Sequence, residues 1–360
     1  VASVIQCQPL AEVEFLFPSG QAVELKEVKA THTPVSHTRV YESEQFLVHE
    51  EIVVHRDCAA VQLTATLKED MQDDMDLKLR VSGGFLMSPQ GVPYHWDEEK
   101  NIAGHFTPQR LTITWRDLLA LNLSFSHSFD RWGINSLRED DPSKSLYFHT
   151  FNAKKRYTYW IDREKRLLGD NSNEAVGRNL GYYGEKFLTL EKGKPFTFVA
   201  FFALDPNMET SFSELKEARK AIWDDFLTKI PQFSSEHDDL VDAYYKSWFV
   251  LFSNQMHSAD PRFKYQFTSV NKFHYYNQFF WDSGFHAIPW IWYDDPVPAE
   301  SELKNFVLNQ WRIGMLPYEL FLYDINGREW METDALTTAA TQPPVLAISL
   351  LEIYRKFGNE

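Results

Sequence analysis

One stretch of the sequence, NQFFWDSGFHAIPW at residues 277–290, places a carboxylate among large apolar side chains. Asp282 lies between Trp281 and Ser283, where an ionised carboxylate must be paired, must cap a helix or must face a cavity. The alternative to a binding or catalytic role is therefore a structural aspartate that caps the following helix. His286 follows four positions later on the same helical face, which permits a hydrogen bond between the two side chains. A single histidine is, however, more often structural than catalytic.

A second stretch, TTAATQPPVLA at residues 337–347, has two prolines in front of an apolar run. Because proline is favoured in the first turn of a helix, this pattern predicts a helix start. Gln342 then lies at or beside the N-cap, where its side-chain amide can reach the cavity that the helix end faces. Taken alone, it would be an ordinary helix-terminal glutamine with only backbone partners.

Aromatic residues are concentrated around the first stretch. Thirteen of the thirty-one residues from 263 to 293 are Phe, Tyr or Trp, against 15% for the whole chain. Flat apolar rings suit sugars, whose C–H faces stack on them while the hydroxyl groups bind polar partners. The alternative is a large aromatic core. The sequence has no GxGxxG, Walker, GxSxG, HExxH or CxxC motif, so nucleotide, serine-hydrolase and zinc chemistry have no support.

The net charge of the chain is −15 at pH 7. Such a surface repels phosphate groups, which argues against nucleic acid or a membrane as partner and favours a neutral oligosaccharide or glycoside. No apolar run reaches the roughly 18 residues that a membrane-spanning helix needs. The two cysteines, Cys7 and Cys58, leave the compartment open, with the cytoplasm favoured. We expect no cofactor and leave open a structural calcium ion.

The elements that must position these residues are of two kinds. Up to residue 204, apolar and polar residues alternate in many short segments without a helical pattern between them, which predicts an antiparallel β-sandwich. A polar stretch with four glycines, residues 169–184, predicts a surface loop. The predicted strands include residues 46–55, 61–67, 77–81, 111–115, 121–125, 157–161 and 196–204.

After residue 204 the hydrophobic period becomes that of a helix. We interpret residues 205–234 as a linker helix and predict the next helix from Ser235, where Asp238 completes an approximate capping box. From there on everything is expected to be helical, and amphipathic helices alternate with helices that are apolar on most sides. Such alternation suits a two-layer ring of helical hairpins.

Four motifs occur in order after residue 235: FFWDSGFH, GMLPYELF, TQPPVLA and EIYRKFGN. With them, residues 235–360 resemble glycoside hydrolase family 63 and its relatives, and residues 1–204 are similar to the N-terminal domain of its longer members. The resemblance implies a multidomain β + α fold. An N-terminal antiparallel β-sandwich at residues 1–204 and a linker helix at 205–234 precede the first part of an (α/α)6 helical barrel at 235–360, which is incomplete.

The resemblance also implies a binding site for the non-reducing sugar. The family's Trp-Asp pair, which lines that subsite with its carboxylate on the ring hydroxyls, matches Trp281 and Asp282. The glutamine of its Gln-Pro-Pro motif matches Gln342. The wall of the subsite would be formed by Tyr275 and Phe279, and we add His286 to the predicted substrate-binding residues.

The resemblance implies an inverting α-glycosidase that acts on a small α-glucoside or α-mannoside. Trehalases share the WDS and QPP motifs but carry Gly-Gly-Arg where this chain has SVNKFHYY, and Tyr318 replaces a polar residue of the family. A trehalase-like hydrolase, a carbohydrate-binding protein without catalysis and a partner-docking platform are the alternatives.

An inverting glycosidase needs an acid and a base on opposite faces of the sugar. The family's Ser-Gly-x-Asp acid motif does not occur here, so we expect the catalytic residues beyond Glu360 and a missing C-terminal barrel segment as a partner. Six helical hairpins also need roughly 200 residues or more, which residues 235–360 do not supply. The other carboxylates of the helical part, expected in an unsheltered polar loop, are Glu319, Asp324, Glu332 and Asp334.

Overall fold

The computed structural model describes residues 5–7, 11–87, 102–115, 119–136, 173–177, 179–204, 210–258, 262–270, 277–321, 337–338 and 340–358. A large antiparallel β region comes first and five helices follow within these residues, which confirms a β domain followed by a helical part. The chain divides into two compact units, one that ends at Trp223 and one that covers Asp224–Glu360. The domain boundaries at residues 204 and 235 stay predictions.

Fourteen strands form two large sheets, and all of their pairings among the described residues are antiparallel. The smaller sheet has the order β1-β7-β13-β11 with β2 also on β7, and the larger has the order β12-β8-β9-β10-β14-β6-β5-β4-β3. The strands are β1 (Ile5–Cys7), β2 (Glu12–Leu16), β3 (Lys26–His32), β4 (His37–Glu42), β5 (Phe46–His55), β6 (Cys58–Leu67), β7 (Met75–Met87), β8 (Ile102–Phe106), β9 (Arg110–Trp115), β10 (Leu119–Phe125), β11 (Arg131–Ser136), β12 (Glu174–Gly177), β13 (Asn179–Leu190) and β14 (Phe196–Ala203).

Aromatic side chains join the two sheets face to face. Phe15 of the smaller sheet meets Phe46 of the larger with ring centroids 5.4 Å apart, and Tyr182 meets Phe106 at 5.8 Å. All four rings are buried, and burial of a large apolar side chain contributes about 1.5–3 kcal/mol. The alternating pattern of the sequence therefore reflects a sandwich core, as predicted.

The predicted loop at residues 169–184 is wrong, because β12 and the first half of β13 lie there. Leu180, Tyr182 and Tyr183 are buried, so this stretch belongs to the core. Gly184 marks close packing instead of a turn: a Cβ on it would lie 2.4 Å from a ring carbon of Phe129. The strand predicted at residues 157–161 lies outside the described residues.

The first helix, α1 (Phe212–Lys229), begins against the larger sheet of the first unit. Phe212 and Leu215 pack on Val53, Cys58, Ala60 and Ala203. The ammonium group of Lys216 lies 2.7 Å from the Glu51 carboxylate on the same side of the sheet. The larger sheet is therefore covered on both of its faces, by the smaller sheet and by this helix.

Four helices follow in the second unit: α2 (Asp238–Ser253), α3 (Phe280–Trp290), α4 (Val297–Leu308) and α5 (Val345–Phe357). The capping box predicted at Ser235 does not form. The N-cap of α2 is His237, which makes no side-chain capping bond, and the Ser235 hydroxyl accepts the His237 N–H at 3.1 Å. The described part of the chain contains no helix that is long and apolar enough to cross a membrane.

The second unit also contains short strands, which corrects the expectation of helices throughout. They are β15 (Gln255–Met256), β16 (Phe267–Thr268), β17 (Gln278–Phe279) and β18 (Glu319–Leu320). β15 pairs with β16, and β17 pairs with β18. The pairing satisfies backbone groups that the ends of the helices leave without partners. α3 therefore begins only after β17, and Pro289 removes a backbone donor near its end.

Candidate functional site

The two stretches that could do chemistry meet at the start of α3. The backbone N–H of Trp281 donates a hydrogen bond to Oε1 of Gln342 at 2.9 Å. Such first-turn N–H groups have no acceptor within the helix, and the N-cap residue Phe279 makes no side-chain capping bond. Gln342 thus caps α3 from a segment 61 residues away along the chain. Its NH2 group has no partner among the described residues and can donate to a ligand.

Asp282 lies in the first turn of α3 and is partly buried. Burial raises the pKa of its carboxyl group, while hydrogen bonds from its own backbone amide and from the side chain of Trp281 act in the opposite direction. The N-cap is Phe279 and not Asp282, so the structure departs from the alternative in which the aspartate is the N-cap of this helix. The carboxylate stands at the positive end of the helix dipole, next to the indole of Trp281.

His286 is partly buried on α3. Its ring is hydrogen-bonded to the backbone of Thr268, and its Nδ1 atom is buried without a hydrogen-bond partner among the described residues. Burial lowers the pKa of the imidazole to about 4, so the ring is neutral at physiological pH. The Asp282–His286 pair that the four-residue spacing permitted does not form, because the tertiary contact with Thr268 takes its place. A role of His286 in sugar binding stays a prediction.

Two aromatic side chains on α3 flank Asp282 at the protein surface. Trp281 is 43% exposed and Phe285 is 55% exposed, and their ring centroids lie 6.5 Å apart. Exposed rings next to a carboxylate offer both the apolar face and the polar edge that a sugar needs. The sequence analysis missed Phe285, although its four-residue distance from Trp281 was visible. Phe279 is partly buried on β17, and Tyr275 lies outside the described residues.

Close packing of α3 on α5 holds the two stretches together. A Cβ on Gly284 would lie 2.9 Å from Cγ1 of Val345 and 3.3 Å from the backbone nitrogen of Leu346. The Ser349 hydroxyl donates to the Gly284 carbonyl oxygen at 2.6 Å. Only a glycine permits this approach, so Gly284 fixes the distance between the helix of Asp282 and the helix that follows Gln342.

The expectation that Glu319 lies in an unsheltered polar loop is wrong. Glu319 is 8% exposed on β18, where it is the pairing partner of Phe279, and its Oε1 accepts a hydrogen bond from Nδ2 of Asn277 at 2.7 Å. The burial and the negative charge beside it raise the pKa of Tyr318. The apolar pair Leu320–Phe321 next to Glu319 was the signal for a buried strand. Asp324, Glu332 and Asp334 lie outside the described residues.

No group of three His, Cys, Asp or Glu side chains within the described ranges could hold a metal ion.

Replacing Gln342 by leucine is expected to lower the free energy of unfolding by about 1 kcal/mol, the usual effect of losing a helix cap. The leucine keeps the volume but cannot accept the Trp281 N–H, whereas Gln342→Glu keeps an acceptor oxygen at the positive end of α3. Urea denaturation of the three proteins measures the effect. Equal midpoints for the leucine variant and the unaltered protein would show that the hydrogen bond contributes nothing.

Residues 275–360 match the family model of the mannosylglycerate hydrolase MGH1-like glycoside hydrolase domain. No match is found among curated proteins. Among solved structures, a protein from the human microbiome assigned as a kojibiose phosphorylase superposes with a TM-score of 0.56 at 11% identity, over 97% of this chain and 46% of that one. A bacterial glucoamylase in complex with acarbose gives 0.53 at 14% identity, over 88% of this chain and 46% of that one.

These comparisons support the general prediction of a β domain followed by a glycoside hydrolase-like segment. Residues 275–360 are similar to a glycoside hydrolase domain, and the order of a β domain followed by a helical part is shared with both solved structures. The chain spans about half the length of each of them. Membership of family 63 in particular stays a prediction.

Proposed function

We propose that this chain provides the subsite for the non-reducing sugar of an inverting α-glycosidase of the family 63 type, which hydrolyses a small α-glucoside or α-mannoside. The hydrogen bond between Trp281 and Gln342 carries the proposal, because it unites the two stretches that the resemblance assigns to one sugar. The match of residues 275–360 to a glycoside hydrolase model supports it.

Each described group has a defined part in sugar binding. The carboxylate of Asp282 accepts hydrogen bonds from ring hydroxyls, and the NH2 group of Gln342 donates one. The exposed faces of Trp281 and Phe285 stack on the C–H face of the ring. A neutral ligand suits a chain with a net charge of −15.

Hydrolysis with inversion requires a carboxylic acid to protonate the leaving oxygen and a carboxylate, about 6.5–9.5 Å away, to activate water. We propose that both groups come from polypeptide beyond residue 360, which would also complete the (α/α)6 barrel. The length of the two fold neighbours, of which this chain covers 46%, supports that assignment. Two carboxyl groups suffice for this chemistry, and it needs no cofactor.

A carbohydrate-binding protein without catalysis is the second candidate, since the same subsite would serve it. The exposed, capped start of α3 favours binding whether or not turnover follows. Turnover by a longer polypeptide separates the two candidates.

The 360-residue chain is expected to bind methyl α-D-glucoside or methyl α-D-mannoside and to show no detectable turnover of α-linked disaccharides. Binding is followed by tryptophan fluorescence, and turnover by release of free sugar with and without inorganic phosphate, which separates hydrolysis from phosphorolysis. A polypeptide extended beyond residue 360 is the control and should be active. Turnover by the 360-residue chain that Glu319→Gln abolishes would place the catalytic carboxyl groups within it.

A further inference from the structure

Thr268 of β16 connects α3 with α4 deep in the second unit. Its backbone N–H donates to Oε1 of Glu302 at 2.6 Å, and its hydroxyl accepts from Nε1 of Trp290 at 2.9 Å. The ring of His286 is bonded to its backbone. Thr268 and Glu302 are 3% and 1% exposed, so these bonds are shielded from water. Both polar residues in the second half of α3 are therefore tied to α4 through one threonine.

Gln278 extends the same network to the start of α3. Its Nε2 donates to the Glu302 carbonyl oxygen at 2.9 Å and to the Ser283 hydroxyl at 3.1 Å. Its Oε1 accepts from Nδ2 of Asn305 at 3.0 Å. All four side chains are almost completely buried. Since Gln278 precedes the N-cap Phe279 by one residue, the network also fixes where α3 begins.

Helical geometry relates this network to the candidate sugar site. Successive residues are rotated by about 100°, so Trp290, nine residues after Trp281, points to the opposite side of α3. Ser283 and His286 lie on the same side as Trp290. The network therefore holds the inner side of α3, and the sugar-binding residues occupy the outer side and the edge.

Glu302 is unusual within this network because nothing neutralises its carboxyl group. Among the described residues it forms no ion pair, and its Oε2 atom is buried without a hydrogen-bond partner. A buried carboxylate without a counter-ion is strongly disfavoured. In agreement, burial raises the pKa of Glu302 to about 8, so the group is mainly protonated at pH 7.

We propose that Glu302 is a positioning residue of the sugar subsite, whose buried carboxyl group orients α3, and with it Trp281 and Asp282, through its hydrogen bond to Thr268. The effect of Glu302 on sugar binding rests on the proposed function. Its effect on the orientation of α3 can be measured in the protein without sugar. The carboxyl group touches neither the exposed rings nor Asp282 and acts only through the network.

The test compares Glu302→Gln and Glu302→Leu with the control Glu300→Gln. Glutamine reproduces the shape of the protonated carboxyl group and keeps an acceptor for the Thr268 N–H, and leucine removes the acceptor. Glu300 lies on the same helix but pairs with Lys304 at 2.6 Å, so its variant changes one charge outside the network. The readouts are hydrogen exchange at the Thr268 amide, the melting temperature between pH 5 and 9, and the affinity for methyl α-D-glucoside and methyl α-D-mannoside.

Glu302→Leu is expected to accelerate exchange at the Thr268 amide at least tenfold and to weaken sugar binding at least tenfold. Glu302→Gln and Glu300→Gln should leave both unchanged at pH 6. Because Glu302 is protonated more readily in the folded than in the unfolded chain, the melting temperature should fall as pH rises from 5 to about 8. Glu302→Gln should remove that component of the fall and raise the melting temperature at pH 8.

Glu302→Gln and Glu302→Leu retain the other titratable groups on the packed elements, so their comparison with the unaltered protein isolates Glu302. These groups are Asp282 and His286 on α3, Glu300 and Lys304 on α4, and Glu352, Tyr354, Arg355 and Lys356 on α5; β16 contributes none. Unchanged exchange and affinity in Glu302→Leu would overturn the proposal. If that variant does not fold, a melting profile of Glu302→Gln identical to that of Glu300→Gln would overturn it. Absence of sugar binding by the unaltered protein would instead refute the proposed function, and the exchange data would still decide the positioning role.

Discussion

Gly284→Val is expected to lower the free energy of unfolding of the second unit by about 1–3 kcal/mol, the usual cost of overpacking. The new Cβ would lie 2.9 Å from Cγ1 of Val345 and 3.2 Å from its Cβ, and the branched γ-carbons add further contacts. The backbone nitrogen of Leu346, 3.3 Å away, cannot move without shifting α5. Separation of the helices would also lengthen the bond from Ser349 to the Gly284 carbonyl oxygen.

A smaller substitution provides the control for this prediction. Gly284→Ala gains about 1 kcal/mol of helix propensity but brings its new Cβ to 2.9 Å from Cγ1 of Val345. Val345→Ala removes the nearest methyl group. The double variant Gly284→Ala/Val345→Ala should therefore be more stable than the sum of the two single effects predicts. Urea denaturation of the four proteins gives the coupling energy. Additive single effects, or a Gly284→Val variant as stable as the unaltered protein, would show that α3 and α5 tolerate separation.

The hydrophobic period of the sequence correctly predicted an element wherever the buried residues follow one face of that element. The strand predicted at residues 46–55 is β5 with the same bounds, and the prolines before Val345 do open α5. The period did not predict the structure where a contact with a distant segment of the chain determines it. Gly184 signals a loop by composition, but its missing side chain is what admits the ring of Phe129.

The candidate site likewise contains residues that the sequence predicts and contacts that it does not predict. Trp281, Asp282 and Gln342 could be selected from residue types, but a hydrogen bond across 61 residues follows from no local pattern. Glu302 escaped notice because a charged residue in a helix, here two positions from Glu300 and from Lys304, normally indicates a solvated face. Its burial depends on Thr268 and Gln278, which belong to short strands that the helical pattern had concealed.

Asp282→Asn is expected to weaken binding of methyl α-D-glucoside or methyl α-D-mannoside tenfold or more, because hydrogen bonds to a charged group contribute about 1.5–3 kcal/mol. The asparagine keeps the shape of the side chain but loses the charge and one acceptor. Under the proposed function this charge binds the sugar hydroxyls, and Asp282 lies in the first turn of α3 beside the exposed Trp281.

Asp282→Asn should weaken sugar binding without weakening the fold, because its effect on thermal stability has the opposite sign. Burial raises the pKa of Asp282, so the folded chain holds the proton more strongly than the unfolded chain and loses stability as pH rises through the range between the two pKa values. Asp282→Asn removes that loss and should be at least as stable as the unaltered protein at pH 7. The control is Asp239→Asn, which changes an exposed aspartate in the first turn of α2.

Titration of tryptophan fluorescence and thermal unfolding at pH 5 and 7 measure the two effects, and turnover is assayed in the polypeptide extended beyond residue 360. Weaker binding with retained stability would assign Asp282 to sugar recognition, and Asp239→Asn should change neither quantity. Unchanged affinity together with lost turnover would contradict a binding role. That result would make Asp282 itself a reacting carboxyl group, because a group that leaves ground-state binding unaffected acts only in the transition state.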